Sequence, residues 1–415
     1  MAHRLRRETV MTEIDPAAQA GEAPWTCPFC PLLCDTFGVA AGPTGWALHG
    51  SDCTRATRAL QRFDVAPSAA QPHVNGRPCG LDAAIAAAAR QLAASRQPLF
   101  GGLGTDVAGA RALYALAAET GAICDAAHGA ALTQSLRALQ DRGGFTTTLA
   151  EVRSRADLIV CVGGLPTRDF PEFFNRCGLE EGDARIVVLT EDAGTDLFDA
   201  VAWLAALVEA PRAGAPADLV ALSRRLLQAR YGVIVYTPGT LPAHGALIIE
   251  AIGRSVGTLN RTTRAAALAL GGGDGASSVN QVFTWLSGLP LRSRAGPRGL
   301  EHEPVCFDAQ RLLAGGAVDT LLWLSSFGAL PWPAAAASLP RIVIAHPEMA
   351  AAAADAAVFI PVATPGIGSA GHLFRTDGSV LMPLRALRAE TLPAASEVIA
   401  RVTHAVRALR AEQAA

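Results

Sequence analysis

Four cysteines near the start of the chain, Cys27, Cys30, Cys34 and Cys53, constrain its fold more than any other feature. They are spaced C-x2-C-x3-C, and the last returns after eighteen further residues. One tight loop can then aim three thiolates at a common centre while a short excursion delivers the fourth, which suits a four-iron cluster. Tetrahedral zinc is the chemical rival. Zinc sites more often come as two C-x2-4-C knuckles, whereas Cys53 is flanked by Asp52 and Thr54 with no second cysteine nearby. Between the two halves, residues 36–40 and 46–49 flank a Gly-Pro-containing turn and predict a small β-hairpin. Motif and hairpin together read as a cap over 23–65, preceded by a polar, alanine-rich, flexible arm at 1–22.

The remaining chain is long enough for more than one core, since the whole has 415 residues. Residues 81–95 have apolar positions at helical spacing, and 98–104 form a short apolar strand ending in glycines. Thr105 or Asp106 is placed to cap a helix running to Thr120, Gly121 closes it, and 122–125 is the next strand. This strand, turn, helix and strand make one βαβ unit, so parallel α/β structure follows. The grammar recurs in strands at 156–162 and 185–190 and a helix at 196–209. After a proline-glycine linker at 210–216 it restarts with helices at 218–229 and 244–259, strands at 231–236, 320–325, 341–345 and 357–361, and a terminal helix near 395–414. The expected organisation is two parallel-sheet α/β domains, 66–210 and 217–415, behind the cap.

Charge and motif content exclude several functions. The formal net charge is −2, so no global basic field favours nucleic acid or an anionic membrane. The basic stretch from Arg292 to Arg298 reads as a solvated loop. No export signal or membrane-spanning run is present, and nine cysteines in such a chain favour reduced thiols. A cytoplasmic protein is expected, with neither nucleic acid nor membrane as partner. The glycine runs 101–104 and 271–275 match neither a dinucleotide fingerprint nor a P-loop. His128, His244, His302, His346 and His372 stand singly, and no serine or cysteine occupies a nucleophile elbow.

The cysteine motif is followed by the helix–strand pair 83–100, the helix and strand over 109–125, the turn Gly163 to Arg168, Asn280 to Trp285 with Gly288, and Gly371 to Gly378. On these residues the chain resembles the B-type subunit of formylmethanofuran dehydrogenase, in the molybdopterin oxidoreductase superfamily, over nearly everything from Trp25 onward. The resemblance implies the α/β architecture of that superfamily. It also implies a four-iron cluster on Cys27, Cys30, Cys34 and Cys53 and a molybdenum or tungsten bis-pterin that interconverts carbon dioxide and formate.

Two departures alter that expectation. The family supplies a soft metal ligand, cysteine or selenocysteine, from the loop after the first strand, yet 101–110 contains no cysteine and Val107 aligns with the ligand. Valine has no lone pair to offer, and Thr105 and Asp106 are hard donors. At Leu165 an apolar side chain replaces a polar one near the pterin nucleotide, removing a hydrogen bond worth roughly 1 kcal/mol. The molybdenum or tungsten pterin is therefore expected to be absent. The resemblance then points to the related formyltransferase/hydrolase complex of methylotrophic bacteria, which hydrolyses the formyl group in one-carbon metabolism using a metal-activated water in its amidohydrolase subunit. In that reading the chain is a non-catalytic scaffold that docks the amidohydrolase, the formyltransferase and a further subunit, and its four cysteines hold a cluster, another metal or nothing. The alternatives are a working redox subunit and a free-standing iron–sulfur protein.

Overall fold

A computed structural model describes residues 24–414 except 44, 192–194 and 243; the arm expected at 1–22 lies outside the described residues. Two sheets form the body. The larger has nine strands, in the order Gly299–His302, Ser293–Gly296, Ile123–Cys124, Pro98–Gly104, Thr320–Ser325, Arg341–Ala345, Val358–Pro361, His73–Val74 and Arg77–Pro78. The five strands from Ile123–Cys124 to Val358–Pro361 are parallel, and the flanking hairpins join them antiparallel. The smaller sheet is wholly parallel, in the order Ala265–Ala269, Gly232–Tyr236, Leu158–Val162 and Ile186–Leu189.

Alternation along the central strands explains why both faces of the larger sheet are covered. Phe100, Leu322 and Ile342 face one side, where helices Leu81–Ala94, Val107–Thr120 and Ala395–Ala414 pack. Leu99, Leu321 and Val343 face the other, against Leu312 and Leu313 of helix Ala309–Ala314. Such strands read as continuous apolar runs, as parallel sheets do. In the smaller sheet Val160 and Ile234 face helices Leu197–Glu209, Ala217–Gln228 and Gly245–Leu259. On its opposite face Ile159, Cys161, Val233 and Val235 pack against the cysteine cap.

The boundary expected at 210–216 is corrected by the sheets. Strands from both sides of that stretch, 158–162 and 232–236, are paired neighbours. Strand 98–104 likewise pairs with 320–325 from the far half of the chain. The chain builds part of the larger sheet, leaves to build the whole smaller one, and returns. The stretch from Arg292 to Arg298 is also corrected, because Ser293–Gly296 pairs with Gly299–His302 and Arg292 is only 5% exposed. No described helix is long and apolar enough to cross a membrane.

Candidate functional site

The cap folds around its own backbone. The Cys27 N–H donates to the Cys34 carbonyl at 2.9 Å and that of Leu33 to Cys30 at 3.1 Å, with Leu33 at φ 45°. Cys53 precedes helix Thr54–Leu60, its carbonyl accepting from Thr57 and its N–H donating to Ser51 Oγ at 3.0 Å. The expected hairpin is present as Gly38–Gly42 and Gly45–His49. Trp25, fully buried, donates its indole N–H to the Gly366 carbonyl at 2.8 Å. Pro31 accepts from the Thr376 N–H at 2.8 Å. The cap is thus wedged between the smaller sheet and the loops that follow the larger one.

Cys27, Cys30, Cys34 and Cys53 are all buried and line one cavity, together with Arg55 and Glu172. Burial, and then the neighbouring Cys30, lift the Cys27 thiol well above its ordinary value. Burial also raises Cys30, with the Arg55 guanidinium opposing. Cys34 is raised by burial and Cys30, while Arg176 pulls it down. Four thiolates in so dry a pocket would need a cation to hold their charge. The donor set therefore suits a thiophilic metal. The cavity measures about 10 Å³, room for about one water. Among the described residues no group of three or more His, Cys, Asp or Glu side chains has the geometry to hold a metal ion. As folded, the four cysteines form a packed thiol core.

The loop after strand 98–104 is closed by its own surroundings. Thr105 is fully buried and Asp106 is 5% exposed. Asp106 caps helix Val107–Thr120 by accepting from the Gly109 N–H at 2.9 Å. A Cβ at Gly109 would overlap the Thr105 hydroxyl, one at Gly275 would overlap the Thr105 carbonyl, and one at Gly371 would fall 2.7 Å from Asp106 Oδ2. The local Gly109 and two bare backbones from distant parts of the chain, Gly275 and Gly371, therefore close over residues 105–106. Val107 packs half-buried against the core of the larger sheet. Leu165 packs against the cap's cluster. Neither Val107 nor Leu165 offers a lone pair or a hydrogen bond to a ligand from its side chain.

A cavity of about 330 Å³ remains between the sheets, lined by His128, Gln134, Gly239 and Trp323 among others. It lies near the carboxyl ends of strands 123–124 and 232–236, where open α/β sheets bind ligands. Its size is at the lower end of small-molecule sites, about 300–1,000 Å³. Sequence reasoning missed the buried ion network at its edge. Arg292 Nε lies 3.2 Å from Asp125 Oδ1 and its Nη2 lies 2.5 Å from Asp308 Oδ2, while the Ala309 N–H donates to Asp125 at 2.9 Å. Burial pushes the Asp125 carboxyl up to about 6 although Arg292 pulls it down. Arg292 was legible only as one of several arginines in a polar run. Of the five single histidines, His346 is buried beside Phe63, with burial and then Arg62 lowering it to about 4.

No family model matches the chain. It is 34% identical over 354 residues to the B-type subunit of the formyltransferase/hydrolase complex of Methylorubrum extorquens, covering 80% of this chain and 96% of the relative. It is 26% identical over 398 residues to the B-type subunit of the tungsten-containing formylmethanofuran dehydrogenase 2 of Methanocaldococcus jannaschii, covering 85% of this chain and 90% of the relative. Among solved structures, a chain of the Methylorubrum extorquens formyltransferase/hydrolase complex crystallised with methylofuran superposes with a TM-score of 0.73 at 32% identity, covering 82% of this chain and 99% of that one.

Proposed function

The chain belongs to the family of B-type subunits found in formyltransferase/hydrolase complexes and formylmethanofuran dehydrogenases, and from that premise we propose that it is the non-catalytic scaffold of a formyltransferase/hydrolase complex. The complex releases formate from a formyl-methanofuran-type one-carbon carrier. The amidohydrolase carries out the hydrolysis, the formyltransferase loads the carrier, and this chain and a further subunit hold the two together in the cytoplasm. Hydrolysis moves no electrons, so nothing in the reaction requires a redox centre here.

One observation carries the reading: where the dehydrogenase-type resemblance calls for a soft metal ligand, Val107 follows a buried Thr105–Asp106 pair sealed by Gly109, Gly275 and Gly371. The proposal extends to the cofactors. The molybdenum or tungsten pterin is absent, and Cys27, Cys30, Cys34 and Cys53 are reduced thiols in a packed core.

Elemental analysis of the purified complex tests both points. Molybdenum or tungsten near one atom per chain would overturn the scaffold reading, as would formate-dependent dye reduction. An anaerobic visible spectrum with a broad brown absorption, together with about four irons per chain, would overturn the thiol reading alone. Omitting this chain from a reconstitution should abolish assembly of the remaining subunits.

A further inference from the structure

The smaller sheet carries an open groove of about 580 Å³ on the side opposite the cysteine cap. Its floor is built from small residues, Ala205 and Ala206 on helix Leu197–Glu209 and Gly253 and Gly257 on helix Gly245–Leu259. Four arginines, Arg142, Arg212, Arg254 and Arg261, surround it. Arg142 pairs with Glu250 at 3.1 Å and Arg212 with Glu209 at 3.9 Å. Arg254 and Arg261 are exposed and have no ionic or hydrogen-bonding side-chain partner among the described residues.

Three helices end around this groove, at Arg142, Glu209 and Leu259. Their partly negative carbonyl ends explain why arginines gather there. They do not explain the floor. Glycine inside a helix is destabilising relative to alanine, and a Cβ on Gly253 or Gly257 would meet nothing within 4 Å. No contact among the described residues requires those positions to be bare, whereas a second backbone lying in the groove would.

We propose that the groove docks an acidic segment of a partner polypeptide, its backbone on the alanine and glycine floor and its carboxylates on Arg254 and Arg261. The inference rests on the scaffold reading and names a surface for it. Arg254 lies on helix Gly245–Leu259 and Arg261 just beyond its end, and both line the groove. The chain's net charge is −2, so the attraction is local and weakens with salt.

The test uses the complex reconstituted from this chain and its own partner subunits. A benzoylphenylalanine photocrosslinker at Ala206 should capture one partner segment rich in Asp and Glu. The double variant Arg254→Glu, Arg261→Glu, both sites exposed, should weaken association about tenfold or more at low salt, and Lys in place of the captured acids should restore it. Capture of a second copy of this chain, capture of a segment without acids, or unchanged association of the double variant would overturn the assignment. So would inorganic phosphate binding through the same arginines with no partner captured. If the unaltered chain enters no complex, the scaffold reading itself has failed; if it assembles and the variant assembles equally well, only the groove assignment has.

Discussion

At the scale of single residues, burial governs the chemistry more than residue type does. Cys27, Cys30 and Cys34 are raised by desolvation, and Cys161 and Cys177 are likewise pushed up to about 12. The thiolate is the reactive form, so alkylation of the native protein should label exposed Cys306 first and half-buried Cys79 more slowly. The other seven should react only after unfolding, with no release of iron. Labelling of Cys30 at the rate of Cys306 would contradict the packed thiol core. Asp125 supplies a second residue-scale test. Its folded value, about 6, lies above the ordinary 3.8, so the folded state binds the extra proton and stability falls as pH rises from about 4 to about 6. The full penalty, about 3 kcal/mol, is present above that window. Lowering the pH from 7 to 5 should therefore stabilise the natural protein by about 1 kcal/mol relative to Asp125→Asn. Urea unfolding at both pH values measures this, and equal pH responses would refute it.

At the scale of elements, closure over the loop at 105–106 depends on glycines whose need is set elsewhere in the chain. Gly275 adopts φ 83° and its missing Cβ would strike the Thr105 backbone, whereas Gly288 adopts φ 78° with nothing within 4 Å. Alanine should cost about 1 kcal/mol at Gly288, the backbone effect alone. At Gly275 it should cost more than about 3 kcal/mol, because backbone atoms cannot step aside. Denaturant midpoints of the two variants compare them directly, and similar losses would show that the closure is loose. This contrast also shows what was legible beforehand. Strand 98–104 and helix 107–120 announced themselves through an apolar run, the Asp106 cap and Gly121 in the left-handed conformation. Helix Gly129–Arg142 begins without a side-chain cap at His128, and strand Ala265–Ala269 is four alanines and a leucine, residues that favour helices. The spacing of the four cysteines fitted one shared pocket, and the structure brings them to one. The small volume of that pocket, and the seal formed by Gly275 and Gly371, arise from contacts across more than a hundred residues that no local pattern encodes.

At the scale of the molecule, the interleaved path makes the two sheets one folding unit, although each has its own helices. Strand 98–104 pairs with 320–325, and strand 158–162 lies between 186–189 and 232–236. The cap adds a third tie, through Trp25 to Gly366 and Pro31 to Thr376, and the Thr376 hydroxyl reaches the Ala269 carbonyl at 2.9 Å. A fragment of residues 217–415 lacks an inner strand of each sheet and the cap that covers Val233 and Val235. It would leave the unpaired edge of 320–325 and a wide apolar face exposed, the condition that favours aggregation. That fragment expressed alone should be insoluble or lack a cooperative unfolding transition. Cutting the intact protein within the exposed stretch 211–214 should leave the two pieces associated, because the break removes no strand pairing. Soluble yield, circular dichroism and thermal melts of the fragment and of the nicked protein distinguish these outcomes. A cooperatively folded 217–415 fragment would show that the sheets are separable after all, and that the linear boundary at 210–216 describes the molecule better than its strand order does.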